Sequence, residues 1–305
     1  MHDHATARWH TSSLEAPPPP PPLAAAAPPP ALRFAPQLDA EAFISRVRRA
    51  QAYIAAGDIY QVNLAYPWTA TCPPHVSSLH LYHRLRAASA APHAAFAELA
   101  DCHVLSASPE LFLRLSGRRV TTRPIKGTRP RFPTDPTRDA AARAELLASE
   151  KERAELLMIT DLERNDLGRV CEFGSVKVPA LWQVETFPQV FHLVSTVTGH
   201  LAPGISHAAA FRACFPGGSI TGAPKKRALE IIHELEPHPR GLYTGAIGGF
   251  AFSGESFWNI AIRTAVRIGS TLTFHTGAGI VADSDPTLEY EETQHKAAGL
   301  LAAWS

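Results

Sequence analysis

Four stretches of the chain carry side chains whose type and spacing could do chemistry. In SASPELFLRL and TTRPIKGTRPR, Glu110 and Lys126 offer an acid and an amine. A lysine behind a proline at a strand end, flanked by Gly127, is oddly placed for a solubilising residue, and burial there favours the neutral, nucleophilic amine. An exposed strand-end lysine meets the same spacing. In ASEKERAELLMITDLERNDLGRV, Glu152 and Glu155 stand among Leu156, Leu157 and Ile159. A carboxylate in apolar company must be paired or hold a cation, and glutamates from separate helices suit a hard, water-rich Mg²⁺ site. In DSDPTLEYEETQHKAAGL, Glu289, Glu292 and Lys296 fall at i, i+3 and i+7, on one helical face. Solvated acidic faces explain both glutamate patterns as well. The strand ahead of the second helix reads FHTGAGIVADS, and its Gly-Ala-Gly step lets a ligand approach the backbone. Last, FPGGSITGAPKKRALEIIHEL (Phe215–Leu235) is a glycine-rich turn with Pro224 suited to a first helical position. Backbone N–H groups at such a start can hold an anion, a carboxylate sooner than a phosphate; an ordinary capping turn fits equally. It is neither a Walker A loop nor a nucleophile elbow, because Thr221 stands where GxSxG needs glycine.

The elements that must position these groups follow from periodicity. Phe43, Val47, Ala50 and Ile54 recur at helical spacing behind Asp39 as N-cap, and Gly57 stops the run. Ile59–Trp68 is β-rich, and Leu79–Ala90 reads as a helix. Short strands are expected at Ala94–Leu99, Cys102–Ala107, Leu111–Leu115 and Val120–Ile125. One long helix should run from Arg138 to Thr160. Strands follow at Val170–Phe173, Val176–Val178 and Val190–Thr198, then a helix at Ala223–Glu234. Tyr243–Ser253, Ser256–Ile268 and Thr271–Gly277 read as strands joined at Gly254 and Gly269, and a last helix spans Thr287–Ala303. Strands come in clusters separated by long helices, which argues for an α+β fold with antiparallel sheets.

Composition narrows the function. Lys+Arg 29 against Asp+Glu 28 leaves a net charge of +1, which supplies no basic field for nucleic acid and no polybasic patch for a membrane. No apolar run approaches the ~20 residues of a membrane helix. Cys72, Cys102, Cys171 and Cys214 are scattered, a pattern that fits reduced thiols in a cytoplasmic protein. Of the 27 prolines, ten lie between Pro17 and Pro36. That stretch is read as a disordered Pro/Ala-rich leader over residues 1–37, ahead of a catalytic domain at 38–305.

Taken in order, GDIYQVNL, SASPELFLRL, TTRPIKGT, RAELLMITDLERNDLGRV, GSVKVP, FHLVSTVTG, FPGGSITGAPK, IAIRT and GAGIVADSDPTLEYEETQHK resemble the chorismate-utilising enzymes. The resemblance runs from about residue 38 to 303. It implies two packed antiparallel sheets with outer helices, forming a single chorismate-binding domain around a polar cleft for chorismate and Mg²⁺. Residue by residue, it implies Glu155 and Glu292 as magnesium ligands with Glu289 beside them, and Glu110 as the acid that protonates the leaving C4 hydroxyl. Arg263 and Lys296 match groups that bind substrate carboxylate, helped by the backbone around Ala278 and Gly279. Tyr243, Ser219, Thr221 and His192 match further cleft residues.

Two positions separate the branches of that family. The resemblance implies a lysine base in the water-adding members where this chain has Gln61, which argues against that branch. Anthranilate-forming members carry PIAGT where this chain has PIKGT, and Lys126 matches the lysine of the aminodeoxychorismate-forming members. The resemblance therefore implies amination of chorismate by ammonia, delivered by a glutamine amidotransferase subunit, with no nucleic acid or membrane involved. Full-length relatives carry a further N-terminal portion ahead of the stretch matching Asp39, where this chain has its proline-rich segment. The expectations that follow are loss of tryptophan feedback, an altered amidotransferase docking surface and no fused glutaminase.

Overall fold

The computed structural model describes residues 31–305 apart from Ala90, together with His2–Asp3 and Arg8–Trp9. The chain divides into two units, Met1–Pro30 and Ala31–Ser305. In the first, His2–Asp3 pairs antiparallel with Arg8–Trp9. The rest of the expected leader up to Pro30 lies outside the described residues.

The second unit begins earlier than the expected boundary at residue 38. Leu32 and Phe34 are apolar residues that the proline-rich reading passed over. Leu32 donates its N–H to the Trp304 carbonyl, the Phe34 ring stacks 5.5 Å from Trp304, and Ala35–Pro36 pairs with strand 61–71. Burying such side chains is worth about 1.5–3 kcal/mol each, enough to order a short stretch.

Twelve longer strands follow: β1 (Gln61–Thr71), β2 (His93–Glu98), β3 (His103–Ser108), β4 (Leu111–Ser116), β5 (Arg119–Arg123), β6 (Ile125–Pro130), β7 (Lys177–Thr186), β8 (Val190–His200), β9 (Ala246–Phe250), β10 (Glu255–Ile260), β11 (Thr264–Ile268) and β12 (Thr271–Ile280). Seven helices accompany them: α1 (Ala40–Ala55), α2 (Ser78–Ala88), α3 (Pro136–Ala148), α4 (Glu150–Gly168), α5 (His207–Cys214), α6 (Lys225–Leu235) and α7 (Pro286–Leu301). The first sheet runs β1–β12–β11–β3–β2, with Gly222–Ala223 on the outer side of β1, and α1, α2, α6 and α7 pack on it. The second runs β7–β8–β5–β4–β10–β9, with β6 also on β8, and is covered by α3, α4 and α5. All pairings are antiparallel, as the clustering of strands implied.

Two strands change sheets, and each carries a candidate site residue at the change. β3 of the first sheet continues into β4 of the second through Pro109 and Glu110. β10 of the second continues into β11 of the first through Ala261, Ile262 and Arg263. Ile260 N–H donates to the Glu110 carbonyl at 3.1 Å and Ala107 N–H to the Arg263 carbonyl at 3.0 Å, so the two crossovers brace each other. Arg263 takes a left-handed φ of 48°, which a β run cannot absorb. The single expected strand 256–268 is therefore two, one in each sheet.

Other elements depart from the sequence reading for local reasons. The expected helix 138–160 is broken at Ser149, which closes α3 and caps α4, its side chain accepting from Glu152 N–H at 3.4 Å. Ser-Glu-Lys-Glu carries the S-x-x-E signature of a helix start, inside what looked like one run. Val170–Phe173 makes only a bridge from Cys171 to Leu201, and the short strand at 176–178 is the start of the ten-residue β7. β7 is irregular: its pairing with β8 shifts register twice and Trp182 has a φ of 58°, which blurs the alternation.

Candidate active site

Lys126 sits on β6 in the second sheet, with its amine turned toward the first. Gly127 after it has a φ of 76°, and a Cβ there would lie 2.8 Å from Leu146 and 2.9 Å from Glu152 Oε2. Glycine is thus required on both conformational and steric grounds. Lys126 Nζ stands 3.6 Å from Glu155 Oε2 of α4, with side-chain exposures of 14% and 13%. Across the gap, a Cβ on Gly279 of β12 would come within 3.4 Å of Lys126 Nζ and 2.6 Å of Gln61 Nε2. Lys126, Gln61, Gly279 and Glu155 therefore meet where the two sheets face each other. Gln61 is buried, and its Oε1 has no hydrogen-bond partner among the described residues.

Glu110, only 4% exposed, completes this group from the β3–β4 crossover. Burial raises its carboxyl from the ordinary value to about 7, against the opposing pull of Ser219, Lys126 and the Ile125 backbone. It is thus an acid poised to give up a proton near neutrality. Ser219 lies beside it in a short 3₁₀ turn, its Oγ buried and without a hydrogen bond of good geometry. Thr221 is equally buried, but its hydroxyl donates to the Gly217 carbonyl at 2.9 Å, and its own carbonyl accepts from Asn63 N–H at 2.8 Å. Its contacts hold the turn against β1.

The acidic face forms where the first turns of α4 and α7 approach each other. Glu289 is 3% exposed and accepts from Ser284 Oγ at 2.7 Å. Burial raises its pKa; Ser284 opposes that, while Glu292 and Glu155 add to it. Glu152 is likewise raised, by burial and then by Glu155. For Glu292 burial acts upward, but the amines of Lys296, Lys126 and Lys151 outweigh it and the net shift is down. The solvated-face reading fails for the enclosed Glu289 and Glu155, but Glu292 and Lys296 are 46% and 48% exposed and form the surface ion pair that it describes. Their cations are Lys126 on Glu155, Lys296 on Glu292 at 2.6 Å, Lys151 on Glu289 at 3.7 Å and Arg129 on Glu152 at 3.7 Å. Among the described residues, no three histidine, cysteine or carboxylate side chains converge tightly enough to cage a metal alone. The donor set instead fits a hard cation held by one or two carboxylates and water.

A second pole lies at the β10–β11 crossover. Arg263 has no carboxylate within salt-bridge distance among the described residues; Nη1 donates only a 3.4 Å bond to Ser89 Oγ. Burial lowers its pKa, as expected for a guanidinium lacking a counter-ion. It shares a small cleft with His192, Ser89, Gln189 and Phe187. His192 bonds Thr128 Oγ1 through Nδ1 at 2.9 Å, and burial followed by the Arg263 charge lowers its pKa to about 4, so the imidazole is neutral.

Tyr243 and Lys296 frame β12. Lys296 Nζ donates to the Gly277 carbonyl at 2.9 Å. Tyr243 stacks on His275 at 4.9 Å, two residues from Gly277 on the same strand face, and burial raises its phenol to about 12. Ala278 points the other way, into the apolar core under α7, so only its backbone is available to a ligand. The residues missed in the sequence are Ser89, Thr128 and Lys151. Lys151 is preceded by the capping Ser149, the signal that would have separated α4 and marked its exposed first turn.

This architecture is a paired-sheet α+β scaffold that brings an acid and an amine together where the sheets face each other, with an acidic face on α4 and α7. The chain belongs to the family described as chorismate binding enzyme, whose match covers residues 1–302. It is 48% identical over 262 residues to anthranilate synthase component 1 of Streptomyces coelicolor, covering 86% of this chain and 51% of that protein. It is also 48% identical over 264 residues to aminodeoxychorismate synthase component 1 of Klebsiella aerogenes, covering 87% and 58%. The chain thus spans a little over half the length of these relatives. Anthranilate synthase component I from Streptococcus pneumoniae superposes with a TM-score of 0.81 at 36% identity, over 89% of this chain and 60% of that one. The menaquinone-specific isochorismate synthase of Escherichia coli gives 0.81 at 23% identity over 91% and 64%, a likeness of fold. Among the described residues, no helix is long and apolar enough to cross a membrane.

Proposed function

We propose that this chain aminates chorismate, replacing the C4 hydroxyl by ammonia to give 4-amino-4-deoxychorismate. The observation that carries the reading is the lysine of PIKGT, which stands between Glu155, Gln61 and Gly279 with the acid Glu110 alongside. Lys126 Nζ attacks C2 while the C4–O bond breaks, the electron pairs of the ring diene shifting between those carbons. Glu110 donates its proton to the departing oxygen, which leaves as water. Ammonia then bonds to C4, the ring pairs shift back, the C2–N bond breaks and Lys126 is released. Arg263 and Lys296 hold the two carboxylates, and the neutral His192 adds no second positive charge beside Arg263.

Glu155 and Glu292 would hold Mg²⁺, with Glu289 behind them; when bound, the ion would clamp the ring carboxylate and stabilise charge as the hydroxyl leaves. A glutamine amidotransferase partner supplying the ammonia belongs to the same reading. Near-equal identity to an anthranilate synthase favours a second reading, in which ammonia attacks C2 directly.

Chromatography of the products from chorismate, Mg²⁺ and ammonium decides between them. The wild-type chain should form 4-amino-4-deoxychorismate. Lys126→Ala should lose that activity by at least about a hundredfold, since loss of a covalent nucleophile can cost far more, and should divert residual turnover to an anthranilate-type product. Unchanged kinetics in Lys126→Ala would sink the covalent role.

A further inference from the structure

Lys151 has no part in the chemistry above, yet it faces the whole acidic group. It lies on the first turn of α4, with Nζ 3.7 Å from Glu289 Oε1 on the first turn of α7. The lysine side chain is 59% exposed and the glutamate 4%. Glu289 is held in place by Ser284, while the amine reaches over it from solvent. Burial acts to lower the Lys151 pKa, but Glu289, Glu155, Glu292 and Glu152 together raise it. Its partner in contact is Glu289, and the other three carboxylates act on it from farther off.

Each carboxylate of the face has a cation within reach, Arg129 being shared with Glu145. Glu152, Glu155, Glu289 and Glu292 each have one cation, respectively Arg129, Lys126, Lys151 and Lys296. Two of those cations have further attachments, Arg129 to Glu145 and the Thr128 carbonyl and Lys296 to the Gly277 carbonyl, while Lys126 is enclosed between the sheets. Lys151 alone is both exposed and held by its ion pair and nothing else among the described residues. An exposed ion pair is usually worth little. Here its removal would leave a buried Glu289 among like charges, the arrangement that most attracts a divalent ion.

Resting on the reading of this face as a divalent-cation site, we propose that Lys151 is its displaceable counter-cation. It neutralises Glu289 while the face is empty, moves off when a divalent ion arrives, and so sets the affinity for that ion. The test uses Mn²⁺ as probe, its free concentration read by electron paramagnetic resonance during titration of the whole chain. Lys151→Met should bind Mn²⁺ about tenfold more tightly, the effect of one half-screened unit charge on a divalent ion, while Lys151→Arg should match the wild type. Without metal, Lys151→Met should also unfold at a lower temperature than the wild type, and saturating Mg²⁺ should close that gap, which a merely structural lysine would not do. Should Lys151→Met not fold, Lys151→Gln gives the same comparison. Wild-type affinity in the neutral variant, alongside weakened binding in Glu292→Gln, overturns the role of Lys151 and leaves the cation site standing. Unaltered binding in Glu292→Gln overturns both.

Discussion

Replacing Glu110 by glutamine should reveal a buried acid that titrates near pH 7. In the folded protein burial raises this carboxyl to about 7; in the unfolded chain it titrates at the ordinary value of 4.5. Between those values the folded form binds more protons, so stability falls as pH rises and is lowest above 7. At 1.36 kcal/mol per pH unit, that span amounts to about 3 kcal/mol, undiminished by solvent because the side chain is almost fully enclosed. Measured on the wild type alone, the fall would be masked. His192 and His275 are both lowered to about 4 by burial, so each loses stability in the opposite direction, as pH drops from about 6.5 toward 4. Glu110→Gln keeps both histidines, so the difference between the two proteins reports the acid together with its coupling to the buried Glu163, which burial and the Glu110 charge both raise. Urea unfolding at intervals from pH 4.5 to 8.5 should show Glu110→Gln gaining on the wild type by up to about 3 kcal/mol by pH 8. The variant should lose turnover by 10²–10⁴, the usual worth of a positioned general acid, and wild-type kcat/KM should decline above about pH 7. A stability difference that stays flat with pH would refute a Glu110 that titrates near neutrality, and with it the account of its role.

Two further substitutions probe the walls of the cleft. Gly279→Ala would place a methyl 2.6 Å from Gln61 Nε2 and should cut turnover by about a hundredfold through misplacement, with unfolding temperature nearly unchanged; wild-type rates would show that the gap is wider than the structure has it. Glu155→Gln or Glu292→Gln should abolish the Mg²⁺ dependence of turnover, and a variant still fully activated by Mg²⁺ drops out of the ligand set.

What the sequence concealed has a common physical cause. Periodicity reports which face of an element is apolar, and the site is built where that rule is broken. Glu289 and Glu152 read as solvent-facing because glutamate on a helix is nearly always solvated. Glu289 is enclosed and Glu152 partly so, where two helix starts, whose N–H groups and dipoles favour anions, bring them together with Lys151 and Arg129. Lys126 was legible through its neighbours Pro124 and Gly127, which have no use in an ordinary surface strand. Ser149 was legible in principle, since its capping pattern lies in plain view within a run of helix formers. The turn at Arg263 carried no such mark. A left-handed arginine between two β-rich stretches looks like any strand residue until the second sheet claims the chain.

The two crossovers explain why the acid and the free guanidinium are held so firmly. A residue in mid-strand points to one face of one sheet, and its partners come from that sheet and what covers it. A residue at a strand's change of sheet is fixed by both. Glu110 is tied to Ile260, and Arg263 to Ala107, so each crossover is hydrogen-bonded into the strand the other one joins. This bracing leaves Arg263 with no anion among the described residues and Glu110 enclosed, conditions that a flexible loop would relieve by turning the side chain outward. The free energy spent on an uncompensated guanidinium and an enclosed carboxyl is thus stored in the junction of the sheets. A substrate carrying a carboxylate toward Arg263 and a basic leaving oxygen toward Glu110 would release both strains together.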